Sequence, residues 1–157
     1  MAQEIEHKFL VKGDFKKDIF KSTRIVQGYL SSVPERTVRI RVKDTQGFIT
    51  IKGIGNDSGL SRYEWEKEIP VEEANELLKI CEPGAIDKIR HLANIDGFIY
   101  EIDEFHGENE GLTVAELEVA DVNTTFTKPN WLGEEVTGQV KYYNSMLMKN
   151  PFKNWGK

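Results

Sequence analysis

Cysteine is nearly absent from this 157-residue chain, and long apolar runs are missing altogether. The single Cys81 excludes an intramolecular disulfide, so nothing calls for an oxidising compartment and the cytoplasm is the expected location. Nowhere are there about 18 consecutive apolar residues, and the opening MAQEIEHKFLVKGD turns charged at once, so neither a membrane span nor a signal peptide is expected. An excess of positive charge is missing too: 21 Lys+Arg stand against 26 Asp+Glu, for a net charge of −5. A general binder of nucleic acid or of anionic membranes needs the opposite balance, so any anion site must be local. With no internal repeat, low-complexity tract or Pro/Ser-rich linker, residues 1–157 read as one domain.

Period-2 alternation is what the chain has instead. Ile5, Phe9 and Val11 alternate with Glu4, Glu6 and Lys8, and Val38, Ile40 and Val42 with Arg39, Arg41 and Lys43. Similar runs at 24–32, 48–53, 61–69, 86–93, 97–103 and 113–120 bring the count to about eight strands, separated by turn signals such as Asp96-Gly97. Helical spacing is rarer. It predicts a helix over 70–81, with Pro70 in its first turn and Pro83-Gly84 as the stop, a short one over 14–21 built on Phe15 and Ile19, and one over 139–149. The expected class is therefore α+β, an antiparallel sheet covered by a few amphipathic helices, and closure into a barrel would remove its exposed edges.

The charges on these strands are segregated by sign. Glu4 and Glu6, then Glu64, Glu66 and Glu68, then Glu101 and Asp103, then Glu116 and Glu118 form acidic sets, while Arg39 and Arg41, then Lys88 and Arg90, form basic ones. Residues at i and i+2 share a face about 7 Å apart, where like charges repel by roughly 2 kcal/mol in a partly buried setting. A polyanion held by the cations, with divalent cations held by the carboxylates, would cancel the cost. If the helices pack on the apolar face, the charged face must line the interior.

Specific motifs sharpen this picture. Glu4-Ile5-Glu6-His7-Lys8 matches the E-x-E-x-K opening of the CYTH proteins, also called triphosphate tunnel metalloenzymes. Arg39-Ile40-Arg41, Thr50-Ile51-Lys52, Arg62-Tyr63-Glu64-Trp65-Glu66, Lys88-Ile89-Arg90, Glu101-Ile102-Asp103-Glu104-Phe105 and Ala115-Glu116-Leu117-Glu118 follow in order and resemble successive motifs of that family. The resemblance implies a closed eight-stranded antiparallel barrel, a tunnel with a charged lumen. It puts Lys8, Arg39, Arg41, Lys52, Lys88 and Arg90 on triphosphate-binding positions, and Glu4, Glu6, Glu116 and Glu118 on positions that hold one or two Mg²⁺ or Mn²⁺. Lys8 and these four glutamates form the expected catalytic set, with Glu64, Glu66 and Asp103 as further tunnel acids.

The C-terminal part departs from the pattern. Where the family reads T-x-D-x-R-Y-x-N, this chain has Thr137-Gly138-Gln139-Val140-Lys141-Tyr142-Tyr143-Asn144. Gln139 removes a carboxylate, and Lys141, a further expected phosphate ligand, keeps the charge without the guanidinium fork. The expected activity is metal-dependent hydrolysis of a small-molecule triphosphate, inorganic tripolyphosphate first, with thiamine triphosphate hydrolysis, adenylate cyclisation or polyphosphate binding without cleavage as alternatives. No nucleic-acid or membrane partner is expected, and an apolar outer patch would support a homodimer. Gly53–Gly59 lacks the Lys and helix of a nucleotide-binding loop and reads as a hairpin. His7, His91 and His106 lack metal-ligand spacing, and Cys81 reads as a packed thiol.

Overall fold

The structure is a computed structural model that describes residues 5–55 and 62–156, so Glu4 and most of the Gly53–Gly59 hairpin lie outside it. Its strands are β1 (Ile5–Val11), β2 (Ile19–Ser31), β3 (Arg36–Lys43), β4 (Gln46–Gly55), β5 (Arg62–Ile69), β6 (Ile86–Ile95), β7 (Phe98–Phe105), β8 (Thr113–Val119) and β9 (Leu132–Glu135). Helix α1 (Val71–Leu78) follows β5, and α2 (Asn144–Lys149) lies near the C-terminus. The hairpins turn where the chain supplies residues tolerant of positive φ, as at Asp44 and at Asp96-Gly97, with φ of 52° at each Asp and 89° at Gly97.

The strands form a single antiparallel sheet in the order β5-β4-β3-β2-β6-β7-β8-β1-β9. This corrects the expected closed eight-stranded barrel: among the described residues there are nine strands, and β5 and β9 are edges with no pairing between them. The sheet curls without closing. Both edges are acidic, with Glu64, Glu66 and Glu68 on β5 and Glu134 and Glu135 on β9. Zipping them together would oppose like charges across the seam. The ninth strand gives no alternation signal in its four residues, Leu132-Gly133-Glu134-Glu135.

The apolar face carries two cores. Beneath β1, β6, β7 and β8, Phe9, Ala93, Tyr100, Ile102, Ala115 and Leu117 pack with Phe15 and Trp131 from the flanking loops and with Leu132 of β9. Ile40 and Val42 pack against Ala74 of α1 on the other half of the same face. Helix α1 is shorter than the expected 70–81: after Leu78 the backbone tightens, with Lys79, Ile80 and Cys81 each bonding three residues back. The expected helix over 14–21 is a 3₁₀ turn at Lys16–Asp18, because Ile19 already pairs with Ala93 as the start of β2. The expected 139–149 helix is broken into a 3₁₀ turn at Val140–Tyr142 and the short α2.

Helix α2 also departs from the expected placement on the apolar face. Its Leu147, with Tyr142 and Val136, packs on Ile86, Phe105 and Val114. Those three strand residues share a face with Lys88, Asp103 and Glu116, two positions along each strand. A third core therefore plugs one end of the charged face and turns it into a cleft.

Candidate active site

Strand register decides which charges meet. Across β6 and β7, Arg90 faces Asp103, and Lys88 is two positions along. Arg90 grips Asp103 at two points, Nε to Oδ1 at 2.8 Å and an Nη to Oδ2 at 2.9 Å, and Lys88 Nζ bonds Oδ2 at 2.9 Å. Lys88 is 0% exposed and Asp103 2%. Burial works against the Asp103 charge, yet the two cations hold its carboxyl below the ordinary carboxylate range. Burial works against the Arg90 charge as well, yet Asp103, then Glu101 and Glu116, hold the guanidinium further into its charged form. Burial lowers Lys88.

Strands β3 and β4 add the rest of a cationic track. Arg41 donates through Nε to Gln27 Oε1 at 2.8 Å and has no carboxylate partner among the described residues. Burial first, then the neighbouring Arg39 and Arg90, push it down to about 10. Arg39 stands 3.7 Å from Glu66 and donates to Thr50 Oγ1 at 3.3 Å, while its buried Nε has no partner among the described residues. Lys52 pairs with the half-exposed Glu64 at 3.3 Å. Lys8, Arg39, Arg41, Lys52, Lys88 and Arg90 all line one cleft of about 730 Å³, together with Glu6 and Glu116. Charge segregation along the strands marks Arg39, Arg41, Lys88 and Arg90 of this lining, and the family resemblance marks Lys8 and Lys52.

At the β1 end the acids collect. Glu118 lies directly opposite Glu6 across β8 and β1, and Glu101 directly opposite Glu116 across β7 and β8. Like charges in directly opposed positions destabilise a sheet. Burial, then the charge and hydrogen bond of Glu116, push Glu6 up to about 7. Lys8 answers only part of this negative charge, at 3.5 Å from Glu116. Among the described residues no three acids, His or Cys already converge in metal-binding geometry. The donor chemistry nonetheless fits a hard divalent cation, which takes carboxylate oxygens and removes the repulsion.

The structure distributes the other expected acids differently. Asp103 is consumed by Lys88 and Arg90, whereas Glu64 and Glu66 stand on the exposed edge strand as partners of Lys52 and Arg39. Glu101, 3.5 Å from Arg90, is the acid the site reading passed over, although its i, i+2 spacing from Asp103 marks it. Lys141 does not reach the cleft: its ammonium lies over the rings of Tyr142 and Trp155, at 5.2 and 4.8 Å. Thr137, Tyr143, Asn144 and Ser145 line the cleft instead. No strand periodicity marks these four; they arrive through the turn at Gly138 and the packing of α2.

His7 and His91 sit on the opposite, apolar face. His7 bonds Glu135 at 2.8 Å beside Phe9 and Phe126, and His91 bonds Ser22 at 2.7 Å and Glu104 at 3.0 Å. Cys81 packs against α1's core, and burial raises its thiol. No described helix is long and apolar enough to cross a membrane.

Comparison with known proteins agrees with this geometry. The chain is 49% identical over 156 residues to an inorganic triphosphatase of Acetivibrio thermocellus, with 99% of each chain covered. It is 35% identical over 148 residues to an inorganic triphosphatase of Nitrosomonas europaea, covering 92% of this chain and 95% of that one. A crystal structure of an inorganic triphosphatase superposes with a TM-score of 0.78 at 30% identity, over 94% of this chain and 95% of its own. Residues 2–146 match the CYTH domain. With an ordered run of charged motifs, a curled antiparallel sheet and this match along nearly its whole length, the chain belongs to the CYTH domain family.

Proposed function

We propose that this protein hydrolyses inorganic tripolyphosphate to diphosphate and orthophosphate in the cleft of its curled sheet. The observation that carries this reading is the line of cations from Lys52 through Arg39, Arg41, Lys88 and Arg90 to Lys8, in one cleft that ends at opposed carboxylates. The inorganic triphosphatase names of two relatives at 49% and 35% identity support it.

Each group has a task that its surroundings suit. Arg41, without a carboxylate partner, and Arg39, with an unpartnered Nε, are open to phosphate oxygens. Lys52 and Arg39 exchange the half-exposed Glu64 and Glu66 for phosphate, and such pairs are worth little. Lys88 and Arg90 keep their aim because Asp103 holds them from behind, where they can stabilise charge developing on the transferred group. Glu6, Glu116 and Glu118, with Glu4 outside the described residues, would hold one or two divalent cations, Mg²⁺ or Mn²⁺. When bound, a cation there supplies charge neutralisation to phosphate oxygens and a more acidic water.

Phosphate release from tripolyphosphate, ATP and thiamine triphosphate, each with Mg²⁺, with Mn²⁺ and with chelator, tests the reading. Metal-dependent release from tripolyphosphate well above the other two is the expected result. Tight tripolyphosphate binding with release at the no-protein background would overturn it in favour of a binding module, and cyclic AMP from ATP would overturn it in favour of a cyclase.

A further inference from the structure

Lys8 is held in an unusual way. Its amide N–H donates to Thr137 Oγ1 at 2.9 Å, and its carbonyl accepts the N–H of Val136 at 2.7 Å, so the chain leaving β9 is stitched to β1 at this one residue. Gly138, at φ +81°, turns the chain back, and the 3₁₀ turn at Val140–Tyr142 brings the ring of Tyr143 to 4.9 Å from Lys8 Nζ. The next residue, Asn144, accepts a bond from Lys88 Nζ at 3.1 Å. One short segment therefore reaches both a β1 cation and a β6 cation.

The apolar cores do not account for Tyr143. Its ring is in none of the three clusters, and it is 40% exposed. It lines the cleft, with the Lys8 ammonium 4.9 Å from the centre of its ring. An ammonium that must meet phosphate needs something that aims it and keeps it charged while leaving its N–H groups available. A carboxylate aims it but competes for those same hydrogens, and Glu116 stands 3.5 Å away as an ion-pair partner. The face of an aromatic ring attracts the cation through its quadrupole and competes far less for those hydrogens.

We infer that Tyr143 is a positioning residue for Lys8: its ring face fixes the ammonium at the acidic end of the cleft, in line with the cationic track, without competing for phosphate. The inference rests on the triphosphatase reading for its turnover assay, and a binding assay makes it separable. Three variants of the full chain decide it: Tyr143→Leu removes the ring, Tyr143→Phe keeps its face, and Lys8→Met removes the ammonium while keeping most of the stem. Turnover of tripolyphosphate and its binding by metal-free calorimetry are read for each variant, and for Tyr143→Leu combined with Lys8→Met.

Tyr143→Leu is expected to lower kcat/KM and tripolyphosphate affinity each by about tenfold. Tyr143→Phe should stay within about twofold of wild type, and on the Lys8→Met background Tyr143→Leu should cost less than about twofold. A residue that only packs would cost the same on either background. The inference is overturned by wild-type behaviour of Tyr143→Leu, by a loss in Tyr143→Phe as large as that in Tyr143→Leu, or by an undiminished effect on the Lys8→Met background. If wild type releases no phosphate, the triphosphatase reading fails, and the calorimetric cycle still decides the role of Tyr143.

Discussion

Arg90 and Asp103 face each other across β6 and β7 and join at two points, 2.8 and 2.9 Å, with the carboxylate shut away from solvent. Lys88 shares the same carboxylate. The pair is scaffold and site at once, since its cations face the cleft while its anion is the post that fixes them. Asp103→Asn leaves two cations without their counter-charge and should destabilise the fold by about 3–5 kcal/mol, measured by urea unfolding. Because the folded-state carboxyl is held below its ordinary value of 3.8, its contribution is present above that value and is lost as pH falls below it. The melting temperature of wild type should therefore drop more steeply than that of Asp103→Asn between about pH 5 and pH 2.

Glu116→Gln separates function from folding. Glu116 lies opposite Glu101 and within hydrogen-bonding reach of Glu6. Removing its charge relieves repulsion, so the metal-free melting temperature should hold or rise. Metal-dependent phosphate release should fall by more than about a hundredfold. Turnover at the wild-type level would remove Glu116 from the metal-holding set.

Arg39 and Lys141 make a paired test of what lines the cleft. Arg39→Ala takes away a cation whose Nε waits without a partner, and should weaken tripolyphosphate binding by roughly 10- to 100-fold in calorimetry. Lys141, over Tyr142 and Trp155, should bind no phosphate, and Lys141→Ala should change the same affinity by less than about twofold.

Gly47 tests the seat of α1. A Cβ there would stand 2.7 Å from the Ala74 side chain and 3.0 Å from the Ile69 carbonyl. Gly47→Ala should push α1 off β4 and cost about 1–3 kcal/mol of stability by urea unfolding. Tripolyphosphate binding should survive in the fraction that stays folded.

The cleft's cations were legible because alternation assigns a face, and register then brings same-face residues into line: Arg39 and Arg41 on β3, Lys88 and Arg90 on β6. Asp103 carries the same i, i+2 signal as Glu101, yet its role as a buried post emerges only when β6 lies beside β7. Phe15 and Ile19, four apart, mimic a helical stripe although Ile19 belongs to a strand, because two apolar residues do not distinguish the two periods. Helix α2 falls on the charged face because Leu147 finds Ile86 and Phe105 there, a match between distant segments that no local pattern carries. Closure is equally non-local: it depends on whether β5 meets β9, and neither sequence alone says which strand is its neighbour.

Among the described residues β5 and β9 end the sheet with no strand beyond them, so each keeps backbone N–H and C=O groups without a strand partner on its outer side. Strands left this way invite pairing with another chain, and charged side chains along the edge are the usual deterrent. Glu64, Glu66 and Glu68 on β5 and Glu134 and Glu135 on β9 supply it. A second copy that offers either edge to the other brings like charges into opposition, so the carboxylates that accompany the open seam also keep the sheet from growing by added strands.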